Sequence, residues 1–223
     1  MRPAPALALA FLAAVASLAA APAFAQNAAA GEKKAAMCIG CHGLPGFQAS
    51  FPEVYRVPMI AGQGAKYIVA SLAAYKKGER KHPTMRGIAA SLSDADMADL
   101  AAFYEQQGSA SLKNVAQVPE QPAVQPKPEV AALLTKGACA SCHGANYNKP
   151  IDGAYPKLAG QHADYLFAAL RSYGVEGNPV LGRGHPVMVA QVKPFKRSEL
   201  KAMADYIGSL PGDVRTVKQP SFR

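Results

Sequence analysis

One short motif, C-x-x-C-H, occurs twice and constrains this chain more than any other feature. The segments "CIGCH" and "CASCH" end at His42 and His143, and together they contain all four cysteines of the 223 residues. Two disulfides or a bound zinc ion would account for the cysteines, but not for the histidine that follows each pair. On a helical turn, positions i, i+3 and i+4 share one face, so two sulfurs and one imidazole point the same way.

This spacing is the attachment signature of c-type haem, in which thioether bonds hold the porphyrin and the histidine binds the iron. The sequence therefore predicts two covalently bound haem c groups. The predicted attachment residues are Cys38, Cys41, Cys139 and Cys142. The predicted iron ligands within the motifs are His42 and His143.

The sequence around the two motifs is also duplicated. Residues 58–75 and 156–173 share the pattern P-x-[IL]-A-G-Q-x3-Y-[IL]-x3-L-x2-Y, and each is followed by a histidine-proline pair and a methionine, "KHPTM" or "GHPVM". Apolar runs close both halves, "MADLAAFYEQQ" and "LKAMADYIGSL". The length differences fall between these blocks, where loops tolerate them. The chain is therefore interpreted as two copies of one module.

The apolar spacing predicts helices and no sheet. Residues 28–42 and 128–143 are each expected to form one helix that ends at its C-x-x-C-H motif, and residues 63–76 and 162–173 space their tyrosine, leucine and isoleucine side chains at helical intervals. Ser93, with Asp96 three residues on, predicts a capping box before the closing helix of the first half. The expected fold class is all-α, with two tandem domains.

The ends of the chain and the segment between the modules have distinct compositions. Residues 1–25 combine Arg2, an apolar run and the small residues "AFA", which predicts a signal peptide cleaved after Ala25 and export to the periplasm. An uncleaved anchor is the alternative. Four prolines, the last at Pro128, predict an extended linker over 111–127 between domains at 26–110 and 128–212, followed by a tail at 213–223.

The net charge of the chain limits the classes of partner that are expected. The formal net charge is +9, which becomes +8 without Arg2, and basic exported proteins meet acidic partners or anionic surfaces. Export and the lack of a nucleic-acid motif argue against a nucleic-acid partner. The basic run "KKGERKH", residues 76–82, has two interpretations: a ring that steers acidic partners to a haem edge, or a solvated loop. A solvated helix face is expected for Lys193, Lys196, Arg197 and Lys201.

The second axial ligand is not decided by the repeat alone. Of the seven methionines, Met85 and Met188 alone occupy equivalent positions in the two modules, but His82 and His185 are equivalent too. A thioether raises the potential of a haem, as an electron carrier late in respiration requires, whereas a second histidine lowers it. Proline after histidine also imposes extended backbone, which favours a methionine that points inward. The chemistry thus favours methionine.

With these motifs in place, residues 30–212 resemble the dihaem cytochrome c4 family, two class I cytochrome c domains in one exported chain. The resemblance rests on the paired C-x-x-C-H and A-G-Q patterns, the late methionines and the closing helices. It implies His42 and His143 as proximal ligands and Met85 and Met188 as distal ligands. The chain departs from the family at His82 and His185. Family members usually carry another polar residue, often asparagine, just before the distal methionine.

The resemblance also implies supporting contacts. The carbonyl oxygens of Pro58 and Pro156 would accept the ring N–H of the proximal histidines. Phe103 and Tyr206 would be the closing-helix aromatics that cross the first helix of each domain. The two domains would meet around a pseudo-twofold axis, with the haem propionates near their interface.

An electron carrier is the function that these features imply, since two six-coordinate haems leave no open iron position for a substrate. The expected donors are a quinol:cytochrome c reductase or a periplasmic dehydrogenase, and the expected acceptor is a haem–copper oxidase. Membrane association would then occur only through these partners. Two alternatives remain: a permanent electron-transfer subunit of a flavin- or quinone-dependent dehydrogenase, and a dihaem peroxidase, which would need one haem able to release its methionine.

Overall fold

A computed structural model describes residues 26–108 and 118–217, so the predicted signal peptide lies outside the described residues. The described part of the first half contains α1 (Ala28–Lys34), α2 (Ala36–His42), α3 (Ala65–Lys77), α4 (Pro83–Ala90) and α5 (Asp94–Glu105). The second half contains α6 (Pro128–Lys136), α7 (Cys139–His143), α8 (Ala163–Ser172), α9 (Pro186–Val192) and α10 (Arg197–Ser209). The same order of five helices therefore occurs twice.

Strand structure is confined to short pieces. Strands β1 (Gln48–Ala49) and β2 (Tyr55–Arg56) pair antiparallel in the longer loop of the first half, with Gln48 opposite Arg56. None of the helices in the described ranges combines the length and the apolar character that crossing a bilayer requires. The all-α expectation is confirmed apart from this small hairpin.

The helices that lead into the two C-x-x-C-H motifs are broken, so the prediction of one continuous helix was wrong in both halves. Ala35 ends α1 and begins α2, and its N–H bonds to the carbonyl of Glu32, three residues back. In the second half Ala138, at φ 44°, separates α6 from α7, because a left-handed residue cannot continue a right-handed helix. The sequence around Ala35 carries no signal for a break, whereas Gly137, the C-cap of α6, is a helix-ending signal just before Ala138.

The closing helix of each half packs across its first helix, α5 on α1 and α10 on α6. At Gly31 of α1 a Cβ atom would stand 2.1 Å from the carbonyl oxygen of Asp99 and 2.9 Å from Cβ of Phe103. Glycine at this position thus permits the helices to touch, and Phe103 lies where the resemblance placed it. The predicted capping box is confirmed, since Ser93 Oγ accepts from the Asp96 N–H at 3.1 Å and the Asp96 carboxylate accepts from the Ser93 N–H at 2.9 Å.

The described part of the linker lies on the second half. Residues 118–127 are not helical, as predicted, but the Pro119 carbonyl accepts a hydrogen bond from Asn146 at 2.7 Å, and Glu120 pairs with Lys149. The closing-helix Tyr206 donates its hydroxyl proton to the Val124 carbonyl at 2.9 Å. This part of the linker is therefore anchored along its length rather than free in solvent.

Reciprocal hydrogen bonds join the two halves. The amide of Gln63 donates to the Lys157 carbonyl at 2.9 Å and accepts from the Lys157 N–H at 2.8 Å. Gln161 makes the same pair with Met59, at 2.8 and 3.0 Å. Met59 and Lys157 are equivalent positions of the repeat, and both glutamines are 4% exposed. The interface is therefore self-complementary, as in a symmetric dimer.

Two further contacts tie the halves together. Arg56 of β2 donates through its Nε and its backbone N–H to the Asp164 carboxylate at 3.0 Å. Beyond α10, the chain returns to the first half, where the Arg215 N–H bonds to the Ala61 carbonyl at 3.0 Å and its Nε bonds to the Gln107 carbonyl at 2.6 Å. The start of the predicted tail is thus part of the first half's packing.

Replacing Gly31 with alanine is expected to destabilise the protein by roughly 2 kcal/mol, because the new methyl group would collide with the α5 backbone rather than with a movable side chain. Chemical unfolding of the purified protein, followed by circular dichroism, measures this. Gly87→Ala is the matched control, since that helical glycine has nothing within 4 Å of an added Cβ. Equal unfolding midpoints for the two variants would contradict the close helix crossing.

Replacing Gln63 with methionine is expected to lower the free energy of unfolding by about 1–3 kcal/mol, because the buried backbone groups of Lys157 lose their partner. Gln161→Met should cost a similar amount, because the contact is reciprocal. The exposed Gln106→Met serves as the control for the change of residue type. Unfolding midpoints for Gln63→Met and Gln161→Met that match the control would show that these amides do not hold the interface.

Candidate haem-binding sites

Both C-x-x-C-H motifs line one continuous cavity of about 510 Å³ that extends through the two halves. All four thiols are free and partly exposed at its wall. In each half the motif occupies a short helix, α2 or α7, so its two sulfurs and its imidazole share that helix. Leucine and isoleucine side chains form much of the remaining wall, for example Ile68, Leu72, Leu166 and Leu170.

The ring of each motif histidine is held by one hydrogen bond. Nδ1 of His42 lies 2.8 Å from the Pro58 carbonyl oxygen, and Nδ1 of His143 lies 3.0 Å from that of Pro156. A carbonyl oxygen only accepts, so Nδ1 carries the proton and Nε2 keeps its lone pair. Burial lowers the pKa of both imidazoles, which keeps them neutral. The two carbonyl contacts implied by the resemblance are present.

These residues fit a covalently attached porphyrin. Burial raises the pKa of the Cys38 and Cys139 thiols, so the structure offers uncharged sulfur in a largely apolar cavity. Next to each pair of thiols stands an imidazole whose Nε2 lone pair is available to a metal. An apolar macrocycle held by two thioether links and one axial nitrogen needs this donor set in this environment.

The two repeat-equivalent methionines lie in the first turn of a short helix in each half. Met85 is the third residue of α4 and Met188 the third residue of α9, and both are partly buried at the cavity wall. Met97 and Met203, by contrast, are buried in the hydrophobic cores at 1% and 3% exposed. The methionines predicted as ligands thus border the same cavity as the motif histidines.

The histidines that precede them have different surroundings. His82 is the N-cap of α4: its Nδ1 accepts the Met85 N–H at 3.3 Å, with Pro83 in the first helical turn. Burial, followed by the charges of Arg80 and Arg183, lowers the pKa of His82, so the ring can accept a hydrogen bond. His185 occupies the corresponding position before α9, but it is exposed and makes no capping bond.

This capping role was missed in the sequence. Its signal is the proline at the first helical position, which places the preceding residue at the N-cap. Histidine is not a preferred capping residue. Its position three residues before a methionine instead favours the interpretation that it is an iron ligand.

The basic run 76–82 is not one exposed face. Lys76 and Lys77 are exposed, but Arg80 is 9% exposed and its guanidinium contacts Tyr165 of the second half. Neither interpretation of the run, a ring that steers acidic partners or a solvated loop, therefore describes this residue. The second basic cluster is exposed, as expected, at Lys193, Lys196, Arg197 and Lys201.

Comparisons with known proteins agree with this geometry. The sequence model of the cytochrome c family matches residues 28–107 and 129–211. Cytochrome c4 of Azotobacter vinelandii is 31% identical over 204 residues, which cover 83% of this chain and 90% of that protein. The crystal structure of reduced cytochrome c4 from Pseudomonas stutzeri superposes with a TM-score of 0.60 at 28% identity, over 84% of this chain and all of that one.

A third relative carries a different description. The thiosulfate dehydrogenase electron acceptor of Stutzerimonas stutzeri is 29% identical over 190 residues, which cover 81% of this chain and 82% of that protein.

The fold and the paired motifs define a dihaem c-type cytochrome, built from two tandem class I domains. The chain belongs to the cytochrome c4 family. It carries two covalently bound haem c groups, one in each domain, and acts as an electron carrier with redox protein partners.

Removing the His82 side chain is expected to destabilise α4, because the Met85 N–H loses its acceptor. His82→Ala should lower the free energy of unfolding by about 1 kcal/mol, whereas His82→Asn restores most of it, since asparagine caps helices well. His185→Ala is the matched control and should have little effect, since His185 makes no capping bond. Denaturant titrations of the haem-loaded proteins provide the measurement; a similar loss in His82→Ala and His185→Ala would argue against the cap.

Proposed function

We propose that this cytochrome relays single electrons through two haems whose irons are each bound by one histidine and one methionine, His42 with Met85 and His143 with Met188. The attachment residues are Cys38, Cys41, Cys139 and Cys142. The observation that carries the assignment is a contrast between side chains that all border the cavity. Met85 and Met188 are both partly buried there in equivalent positions, whereas Nδ1 of His82 is engaged as a helix cap and His185 is exposed.

When bound, haem supplies a one-electron couple at its iron. The protein residues set how easily that couple is reduced. The Pro58 and Pro156 carbonyls polarise the motif histidines and hold their orientation, and a thioether ligand favours the ferrous state. Two protein ligands on each iron leave no position for a substrate. The role is therefore that of a carrier and not of a dihaem peroxidase.

We place the protein in the periplasm, with a signal peptide at residues 1–25, domains at 26–110 and 128–212, a linker at 111–127 and a tail at 213–223. The donor would be a quinol:cytochrome c reductase or a periplasmic dehydrogenase, and the acceptor a haem–copper oxidase. The excess of basic residues supports acidic docking surfaces on these partners. Any association with the membrane would pass through the partners.

A second candidate donor is a dehydrogenase that oxidises thiosulfate. It is supported by the 29% identical relative named as the electron acceptor of thiosulfate dehydrogenase. Stopped-flow reduction of the oxidised protein by each purified donor distinguishes the two. Fast reduction by the thiosulfate enzyme and slow reduction by the quinol-oxidising complex would select the second candidate.

The ferric protein is expected to show the weak near-infrared charge-transfer band of methionine-ligated haem at the intensity of two haems. Met85→His and Met188→His should each remove half of it, because each replaces one sulfur by nitrogen. His185→Ala should leave the band intact and serves as the control. Loss of the band in His185→Ala, or its survival in both methionine variants, would refute the ligand assignment.

Carbon monoxide tests the carrier role separately. The ferrous wild-type protein should bind little carbon monoxide, because both axial positions of each iron are occupied by protein ligands. Met188→Ala opens one position and should bind about one equivalent per chain. Absorption spectra taken during titration give the stoichiometry, and ready uptake by the wild-type protein would favour an enzyme over a carrier.

A further inference from the structure

One buried hydroxyl group in the wall of the haem cavity belongs to the closing helix of the first half. Tyr104 lies near the end of α5, is buried, and borders the cavity together with Cys38. Within residues 26–108 and 118–217, its hydroxyl oxygen is enclosed and has no hydrogen-bond partner. Buried polar groups are almost always hydrogen-bonded, because an unpaired one is costly. A hydroxyl left unpaired on a cavity wall therefore indicates a partner that occupies the cavity.

The fold around this hydroxyl sets its position. The Phe103 ring packs edge-on against the Tyr104 ring, with 5.1 Å between the ring centroids, and the Tyr104 carbonyl accepts the Gly62 N–H at 2.7 Å. Cys38 packs against the apolar cluster of the first half to which Tyr104 belongs. Burial, followed by the Cys38 thiol, raises the pKa of Tyr104, so the hydroxyl keeps its proton and acts as a donor.

The equivalent position of the second half is apolar. Ile207 occupies it on α10, where it is buried and also borders the cavity. The tyrosine of that helix comes one residue earlier, and the hydroxyl of this Tyr206 donates to the Val124 carbonyl of the linker. Tyr147 lies near Cys139, but it does not border the cavity. The repeat therefore provides a hydroxyl at the first attachment site and a hydrocarbon side chain at the second.

We propose that the Tyr104 hydroxyl donates a hydrogen bond to the thioether sulfur formed at Cys38, and that it thereby tunes the first haem and not the second. Attachment of the porphyrin replaces the proton of the Cys38 thiol by carbon, so the sulfur can then accept a hydrogen bond but cannot donate one. A thioether is a weak acceptor. In an apolar cavity, however, even a weak acceptor stabilises a donor that has no other partner.

This hydrogen bond has a defined effect on electron transfer. The positive end of the O–H dipole faces the covalently attached edge of the porphyrin. It therefore stabilises the reduced haem, which has one positive charge fewer than the oxidised haem. Tyr104 should raise the reduction potential of the first haem relative to the second, and an electron shared by the two domains would then favour the first.

Redox titration of the haem-loaded protein, followed by absorption, tests this proposal. Tyr104→Phe removes the hydroxyl alone and is expected to lower one of the two reduction potentials and to leave the other in place. Tyr104→Ile gives the first half the residue of the second half and should lower the same potential. Tyr206→Phe is the matched control, since it removes a hydroxyl of the equivalent helix that bonds to the linker instead. A shift in Tyr104→Phe no larger than in Tyr206→Phe would overturn the proposal.

A Cys142→Ala background identifies the haem that responds. Its second haem would keep one vinyl group in conjugation with the porphyrin, so the absorption bands of the two haems separate and each haem can be titrated by itself. In this background Tyr104→Phe should lower the potential of the first haem. A shift of both potentials, or of the second alone, would mean that Tyr104 acts through the packing of the domains and would reject the hydrogen bond. So would a shift in Tyr104→Ile that Tyr104→Phe lacks.

The inference deepens the proposed function, but it rests on the two attached haems and not on their methionine ligands. The near-infrared band separates the two questions. A full band together with unchanged potentials in Tyr104→Phe would reject the Tyr104 contact and leave the ligand assignment standing. A band absent from the wild-type protein would refute the ligand assignment, while a lowered first potential in Tyr104→Phe would still support the contact with the Cys38 sulfur.

Discussion

The hydrogen bond from each motif histidine to a proline carbonyl is the contact on which the electron-transfer site depends. It selects the tautomer that protonates Nδ1, and it fixes the ring so that Nε2 is available to iron. The same short helix carries the thiols that attach the porphyrin. Each domain can therefore be understood as a support that brings a carbonyl, an imidazole and two sulfurs to one wall of a cavity.

The two domains are joined by polar contacts that follow the repeat. Gln63 and Gln161 reach across to equivalent backbone positions, and the backbone of Arg80 lies opposite that of Arg183 between the two halves. The contact of Gln63 with Lys157 is therefore repeated by that of Gln161 with Met59. Across this interface, the two C-x-x-C-H motifs line one continuous cavity.

Much of this was accessible from sequence. The paired motifs, the repeat and the capping box predicted the class of fold, the cofactors and the candidate ligands, because helix caps and haem attachment have strict local requirements. The break at Ala35 was not accessible, since the residues around it favour helix, whereas the break at Ala138 follows Gly137, a helix-ending signal that the prediction of one continuous helix ignored. The burial of Arg80 was not accessible from sequence either, because local sequence describes its charge and only the fold buries it.

The return of the chain from α10 to the first domain has a consequence for assembly. Arg215 pairs with Ala61 and Gln107, whose own neighbours in sequence were made more than a hundred residues earlier. Synthesis proceeds from the amino terminus, so the first domain gains its contacts with Arg215 only after the second domain has been made. The two modules, although copies of one another, are therefore not independent in maturation: the end of the second completes the first.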